Sequence, residues 1–195
     1  MQLLESKPLL IDVRGITLRL THQEFERLCQ DNPDLRLELT ASGELIAMPP
    51  AGWESSERNS NLNFELQAWN RQTRLGRVFD SSGGFTLPNG AVRSPDVTWI
   101  ASSKLEEISP DIAFPALVPD FVIELRSKTD NLKTLQEKME EYIVAGVRLG
   151  WLINPQQKQV EIYRSGGDAE VLENPECLSG EDVLPGFTLS LSSIW

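Results

Sequence analysis

Hydrophobic positions recur along this chain with two periods, and those periods divide it into strands and helices. In "LRLELTASGELIAM", Leu35, Leu37 and Leu39 alternate with Arg36, Glu38 and Thr40. That is the period-two signature of a half-buried strand, and Ser42-Gly43 supplies a hairpin turn. Before it, "THQEFERLCQ" opens a helix with Thr21 as N-cap and Glu24 three residues on, a capping box. Earlier still, "LLIDVRGITLRL" reads as extended chain with a turn at Gly15. A long helix is expected from Glu54 to Leu75, ended by Gly76 in the left-handed conformation. "RVFDSSGGFTLPNGAVRSPDVTWI" reads as short strands punctuated by Gly83-Gly84 and by "PNG".

A loop carrying Pro110, Pro115 and Pro119 leads to "PDFVIELRSKTD", a buried strand that turns abruptly ionic. Asp130 is expected to cap a helix reaching Ala145, closed by Gly146. "LGWLIN" and "QVEIYR" supply two further strands, and a Gly- and Pro-rich tail carries weak ones to Trp195. Strand, helix, strand in this middle section implies a sheet with at least one parallel crossover. The pattern predicts a mixed α/β (α+β) fold, a single domain over 1–195 with no linker.

The ionic strand tip is where chemistry can sit. By the period of two, Val122, Glu124 and Arg126 share one face, and Phe121, Ile123 and Leu125 the other. A carboxylate at the end of a strand buried on both sides must be paired or bound to a metal. A local Glu124–Arg126 or Glu124–Lys128 ion pair would satisfy it. Upstream, "VRSPDVTWI" puts Asp96 after Pro95 and before a short strand, a setting that also suits an ordinary turn aspartate. In the following helix, at about 100° per residue, Leu135, Met139, Tyr142 and Ile143 form the buried stripe. Lys138 flanks it beside Tyr142, while Lys133, Glu137, Glu140 and Glu141 fall elsewhere. Its stem can simply cover Tyr142, or its ammonium can serve a site. Glu38, on the polar face of its hairpin, reads from pattern alone as a solvated residue.

Ser94-Pro95-Asp96 and, 28 positions on (124 − 96), Glu124 and Arg126 spell P-D…E-x-R. This resembles the P-D…(D/E)-x-K signature of restriction-endonuclease-like proteins, with arginine in place of lysine. "LELTASGELIAMPP", "RSPDVTWI", "PDFVIELRSKTD" and "LQEKMEEYIVAGVRLGWLINP", in that order, resemble the Uma-two family, from about Glu38 to "LSGEDVLPGF". The resemblance implies a four-stranded mixed sheet core flanked by helices, with extra amino- and carboxyl-terminal strands. It implies that Asp96 and Glu124 bind metal, with Glu38 as a further acidic position. It also implies that Lys138 replaces the lysine missing from E-x-K. Lys128-Thr129 in "SKTD" departs from relatives that carry proline there.

Composition narrows the partners. The net charge of −11 argues against broad, non-specific nucleic-acid binding, which rests on phosphate neutralisation. Arg71, Arg74 and Arg77 nonetheless gather after one helix, either as a local basic groove or as a solvated helix end. Cys29 and Cys177 make neither a disulfide framework nor a metal cluster, and the single His22 sits at a helix start. Zinc therefore lacks partners. With apolar runs too short for a bilayer and no signal peptide, the expectation is a cytoplasmic protein with no membrane partner.

If Asp96 and Glu124 converge to about 4 Å, they repel by about 4 kcal/mol at an effective dielectric of about 20. Magnesium or manganese, held by both carboxylates and the backbone carbonyl of Leu125, would relieve that conflict. The expected activity is metal-dependent hydrolysis of DNA phosphodiester bonds, with Lys138 or Arg126 as the catalytic cation. Two other readings remain open from sequence: a catalytically silent nuclease fold used for binding or assembly, and a metal-free protein in which Glu124 merely pairs with Arg126. A homodimer is expected only by analogy with nucleases that cut both strands.

Overall fold

A computed structural model describes residues 17–106, 108, 109 and 111–195. Most of the expected extended segment at 9–20, with its turn at Gly15, lies outside them, as does Pro110. The described elements begin with α1 (His22–Asp31), the hairpin β1 (Arg36–Leu39) and β2 (Leu45–Met48), and the long α2 (Trp53–Thr73). Strands β3 (Gly76–Asp80), β4 (Phe85–Thr86), β5 (Val92–Arg93) and β6 (Val97–Ala101) follow, then the one-turn α3 (Ser102–Leu105). Strand β7 (Phe121–Leu125), helix α4 (Leu132–Ala145) and strand β8 (Leu149–Asn154) make the crossover. Strands β9 (Gln159–Arg164), β10 (Glu170–Glu173), β11 (Cys177–Ser179) and β12 (Thr188–Ser190) complete the order.

The capping box at α1 is formed as expected. Thr21 Oγ1 accepts from Glu24 N, and Glu24 Oε2 accepts from Thr21 N at 2.8 Å. Two helix boundaries differ from expectation. Helix α2 ends on Arg74, left-handed at φ 55°, and Gly76 instead starts β3. Gly76 is needed for close approach, since a Cβ there would run into Ile100 O and the Trp99 ring. Helix α4 is capped by Asn131, whose side chain accepts from Lys133 N at 2.9 Å. Asp130 closes the preceding turn, accepting from Ser127 N at 2.7 Å. Gly146 ends α4 with φ 112°, as expected.

The central sheet has six strands in the order β10-β9-β8-β7-β6-β3, a four-stranded core β8-β7-β6-β3 with the later strands β9 and β10 added at one edge, in line with the extra strands that the resemblance implies. Only β7 and β8 run parallel, joined through α4; the other neighbours are antiparallel. The period-two reading of β7 sorts its faces correctly. Phe121, Ile123 and Leu125 pack with Trp151, with Leu62 and Leu66 of α2, and with Leu184 and Phe187 of the tail. Val122 lies on the opposite face with Leu152, Met139 and Tyr142. Helices therefore cover both faces of a sheet whose central strands are apolar on both sides, the arrangement a parallel crossover requires.

A second sheet, β2-β1-β5-β4, stands at the carboxyl end of β7. Its Leu37, Leu39 and Val92 pack on Phe25 of α1. The opposite face of β1 meets not solvent but the site, so the solvated reading of Glu38 is corrected: it is 2% exposed. Among the described residues no helix is long and apolar enough to cross a membrane.

Candidate active site

Strand pairing explains why residues far apart in sequence converge. Strands β6 and β7 pair antiparallel with Val97 opposite Ile123, so continuing the register sets Asp96 opposite Glu124. Directly opposed side chains share a face with Cβ atoms about 5 Å apart. The link is completed by the Leu125 N–H, which donates to Asp96 Oδ2 at 2.9 Å. Both residues line a cleft of about 380 Å³, with Leu125, Lys138, Arg36 and Asn59 also on its wall.

Lys138 comes from α4, one turn before Tyr142, so both side chains reach over the sheet toward Glu124. Its Nζ lies 2.8 Å from Glu124 Oε1 and 2.9 Å from Glu38 Oε1. The same Glu124 oxygen accepts from Tyr142 Oη at 2.8 Å. Glu38 also accepts from Ser94 N at 2.9 Å and from Arg93 Nη1 at 3.1 Å. It is therefore occupied by three donors. These bonds tie Lys138 and the Ser94-Pro95-Asp96 segment to β1.

Electrostatics separates the carboxylates. Burial raises the Glu124 carboxyl to about 7; Lys138 opposes the shift, and the Asp96 and Glu38 charges add to it. Burial also raises Asp96 above its ordinary range, against the Leu125 N–H, Lys138 and Asn59. Glu38 goes the other way: burial would raise it, but Lys138, Arg93 and the Ser94 N–H hold it low and ionised. Burial would lower Lys138, yet Glu124 and Glu38 push it up, so it carries its proton at neutral pH.

Arg126 does not join this cluster. Its guanidinium bonds Asn154 Oδ1 at 3.3 Å and the Asp130 carbonyl at 3.4 Å, because β7 has ended and the chain enters the turn before α4. The sequence-based Glu124–Arg126 pair is thus replaced by Glu124–Lys138. Lys128 pairs with Glu54 at 2.6 Å on the cleft rim, not with Glu124. Sequence reasoning missed Asn59, whose Nδ2 donates to Asp96 Oδ1 at 3.1 Å while its Oδ1 is buried without a partner. The available signal was Asn59 and Asn63 spaced i, i+4 on a helix face bordering buried Leu62 and Leu66. Tyr142 was read only as core, and Arg93, paired with Glu38 and Glu141, was not singled out.

The family model Uma2, described as "Putative restriction endonuclease", matches residues 22–192. The chain belongs to the Uma2 family. No curated protein matches it. Among solved structures, the Uma2 chain is similar to a crystal structure from Anabaena variabilis described as "a putative nuclease belonging to DUF820". The two share 22% identity and a TM-score of 0.71, over 81% of this chain and 88% of that one. At that identity the likeness establishes the fold: a mixed central sheet flanked by helices, as the sequence pattern and the resemblance imply.

Could the Uma2 site hold a divalent cation? Among the described residues no three His, Cys, Asp or Glu side chains cluster as ligands. The donors that do converge are hard oxygens: two carboxylates whose proximity is unfavourable when both are ionised, and the orphaned Asn59 Oδ1. A small set of this kind suits magnesium or manganese, which keep several waters, and does not suit zinc.

Proposed function

We propose that this Uma2 chain hydrolyses phosphodiester bonds of DNA, with Mg2+ or Mn2+ held by Asp96 and Glu124 and by the Leu125 carbonyl on the same wall. The observation that carries the reading is the meeting of Asp96, Glu124 and Lys138, from three separate elements, in one cleft. The cation, when bound, supplies Lewis-acid activation of water and neutralises charge on the phosphate. The chain's own residues do the rest.

Glu124 and Asp96 present oxygens whose burial raises their proton affinity, so binding a cation there exchanges a proton for the metal at neutral pH. Protonated Lys138 offers a hydrogen-bonding charge to a phosphate oxygen as negative charge develops on it. It orients and neutralises; it does not accept a proton. Glu38 holds that ammonium from behind, and Tyr142 fixes the Glu124 rotamer. Arg126 is left out of the chemistry.

Cleavage of plasmid DNA with Mg2+ tests the proposal directly. Asp96→Ala and Glu124→Ala are each expected to lower the rate by about 10³-fold or more. A Mn2+ titration by calorimetry should give a saturable heat that both variants lose. Undiminished cleavage by both variants, or a wild-type protein that neither binds Mn2+ nor cleaves, overturns it and leaves the silent binding module.

A further inference from the structure

A second, larger cavity of about 760 Å³ borders the cleft along α2. It is lined by Asn63, Phe64, Gln67 and Arg71 of α2, and by Val78 and Phe79 of the sheet's edge strand β3. Residues 63, 64, 67 and 71 follow helical spacing beside the stripe that gives Ser55, Arg58 and Asn59 to the cleft. Asp96 is the partition between the two spaces. On the cleft side its carboxylate accepts from Asn59; on the other its carbonyl accepts from Asn63 Nδ2 at 3.4 Å.

Arg36 lines only the cleft, near enough to Asp80 on the wall of the larger cavity for its charge to be felt there. The Arg36 Nε is buried with no hydrogen-bond partner. The larger cavity holds the other parts of a nucleotide site. Phe64 is 68% exposed and offers an open aromatic face. Asn63 and Gln67 supply amides for polar base edges, and Arg71 is an exposed cation in the last turn of α2. Asp80 on the β3 wall stays ionised, bonded to Ser82 N and Oγ, so an anion would be received at the α2 wall by Arg71.

We infer that the larger cavity is a subsite for one unstacked nucleotide of the substrate strand, with its base on Phe64 and its flanking phosphates on Arg36 and Arg71. The inference rests on the phosphodiesterase reading, since it sets the neighbouring phosphate in the cleft. The volume suits a single ligand unit rather than a stack of base pairs. The chemistry is that of single-strand binding, in which aromatic faces carry bases and cations follow the backbone. The subsite also gives Arg71 a purpose that the chain's acidic balance does not suggest.

Binding of a short fluorescein-labelled oligothymidylate, read by anisotropy in EDTA, is the test. Phe64→Ala is expected to weaken binding about fivefold or more, the effect of losing one stacked base. Arg71→Ala should weaken it several-fold and reduce the slope of log Kd against log salt by about 0.7. Val171→Ala, on the exposed face of β10, should bind as wild type. Wild-type affinity in both Phe64→Ala and Arg71→Ala overturns the subsite. So does a Phe64→Ala variant that changes sedimentation but not affinity, which would assign the cavity to a second copy of the chain. Wild-type cleavage with Mg2+ is read in parallel. No cleavage with Phe64-dependent binding removes the phosphodiesterase reading alone; cleavage with Phe64-independent binding removes the subsite alone.

Discussion

At the amino end of β7, Asp120 is 2% exposed, and its needs are met locally. One oxygen accepts from Ala101 N at 2.9 Å, and the other meets the Lys104 ammonium at 2.9 Å. Four residues on, Glu124 is 4% exposed, but it meets an ammonium shared with Glu38 and stands opposite Asp96. One end has one carboxylate and one cation. The other gathers Glu38, Asp96 and Glu124 around Lys138, while Arg93 is divided between Glu38 and Glu141. Burial of a carboxylate is therefore not what marks a site. What sets the second end apart is an excess of carboxylates over the cations paired with them, a charge that a bound metal cation would balance.

The largest expected contrast comes from deleting each carboxylate in turn. Asp120→Ala takes the acceptor from the half-buried Ala101 N–H and the carboxylate partner from Lys104, which keeps the Val118 carbonyl, and should cost about 2 kcal/mol, or about 6 °C in Tm. The folded fraction should still cleave. Glu124→Ala should abolish Mg2+-dependent cleavage, and its Tm loss is limited to the Tyr142 hydroxyl left without its acceptor, because Lys138 keeps Glu38 and an unfavourably buried carboxyl is removed. Thermal unfolding and cleavage rates measured on both variants check it; an Asp120→Ala protein as inactive as Glu124→Ala would erase the distinction.

Lys138→Met sharpens it from the cation's side. Removing the ammonium leaves buried Glu38 and Glu124, with half-buried Asp96 beside them, short of a cation, an expected loss of about 3 kcal/mol in metal-free protein. Mn2+ should restore more of that Tm loss than it adds to wild type, because with Lys138 gone only Arg93, already shared with Glu141, offsets the carboxylates. Cleavage should remain about 10²-fold down even when the metal is bound, since the hydrogen-bonding charge on the phosphate is gone.

How much of this could be read in the sequence follows from what each signal reports. The alternation in β7 and the i, i+4 spacing in α4 report faces, and faces suffice to align Glu124 with Lys138. The P-D and E motifs align because β6 and β7 are neighbours, and the resemblance supplied that neighbourhood. Glu38 was misread because period two says only that a residue faces away from its own sheet's core. It does not say that a second sheet will pack there. Arg126 was misplaced for a related reason, since alternation holds only while the strand lasts, and β7 ends at Leu125. Asn59 gave the weakest signal: an amide on a helix reports nothing until its partner across the cleft is known.

A smaller effect is expected from pH. In the metal-free fold Glu124 sits at about 7, against an ordinary value of 4.5, with Asp96, Glu38, Lys138 and Tyr142 facing it. Between those values the folded state keeps a proton that the unfolded state has lost. Stability from this group is therefore greatest below about 4.5 and falls as pH rises to about 7. Asp96, also raised, adds in the same sense. Glu38, held low, contributes stability that is present above 4.5 and lost as pH falls through its folded value, so it acts in a different window. Tm of metal-free wild type should decline across pH 4.5–7, and Glu124→Gln should flatten most of that slope. A Tm that rises across the window in wild type would contradict the raised carboxyl.

The smallest effect concerns Arg126, the cation that sequence alone sets beside Glu124. Its hydrogen bonds, at 3.3 and 3.4 Å, are long, and both go to neutral acceptors in a partly exposed setting. Long bonds to neutral groups near water contribute little, so Arg126→Ala should cost less than about 1 kcal/mol. Cleavage should stay within about threefold of wild type. If Glu124 depended on Arg126 for its compensating charge, the same variant would lose several kcal/mol, as breaking a buried pair does. Thermal unfolding of Arg126→Ala beside Lys138→Met therefore asks which cation the strand-end carboxylate relies on. A large loss in the first and a small one in the second would reverse the assignment of Glu124's cation from Lys138 to Arg126.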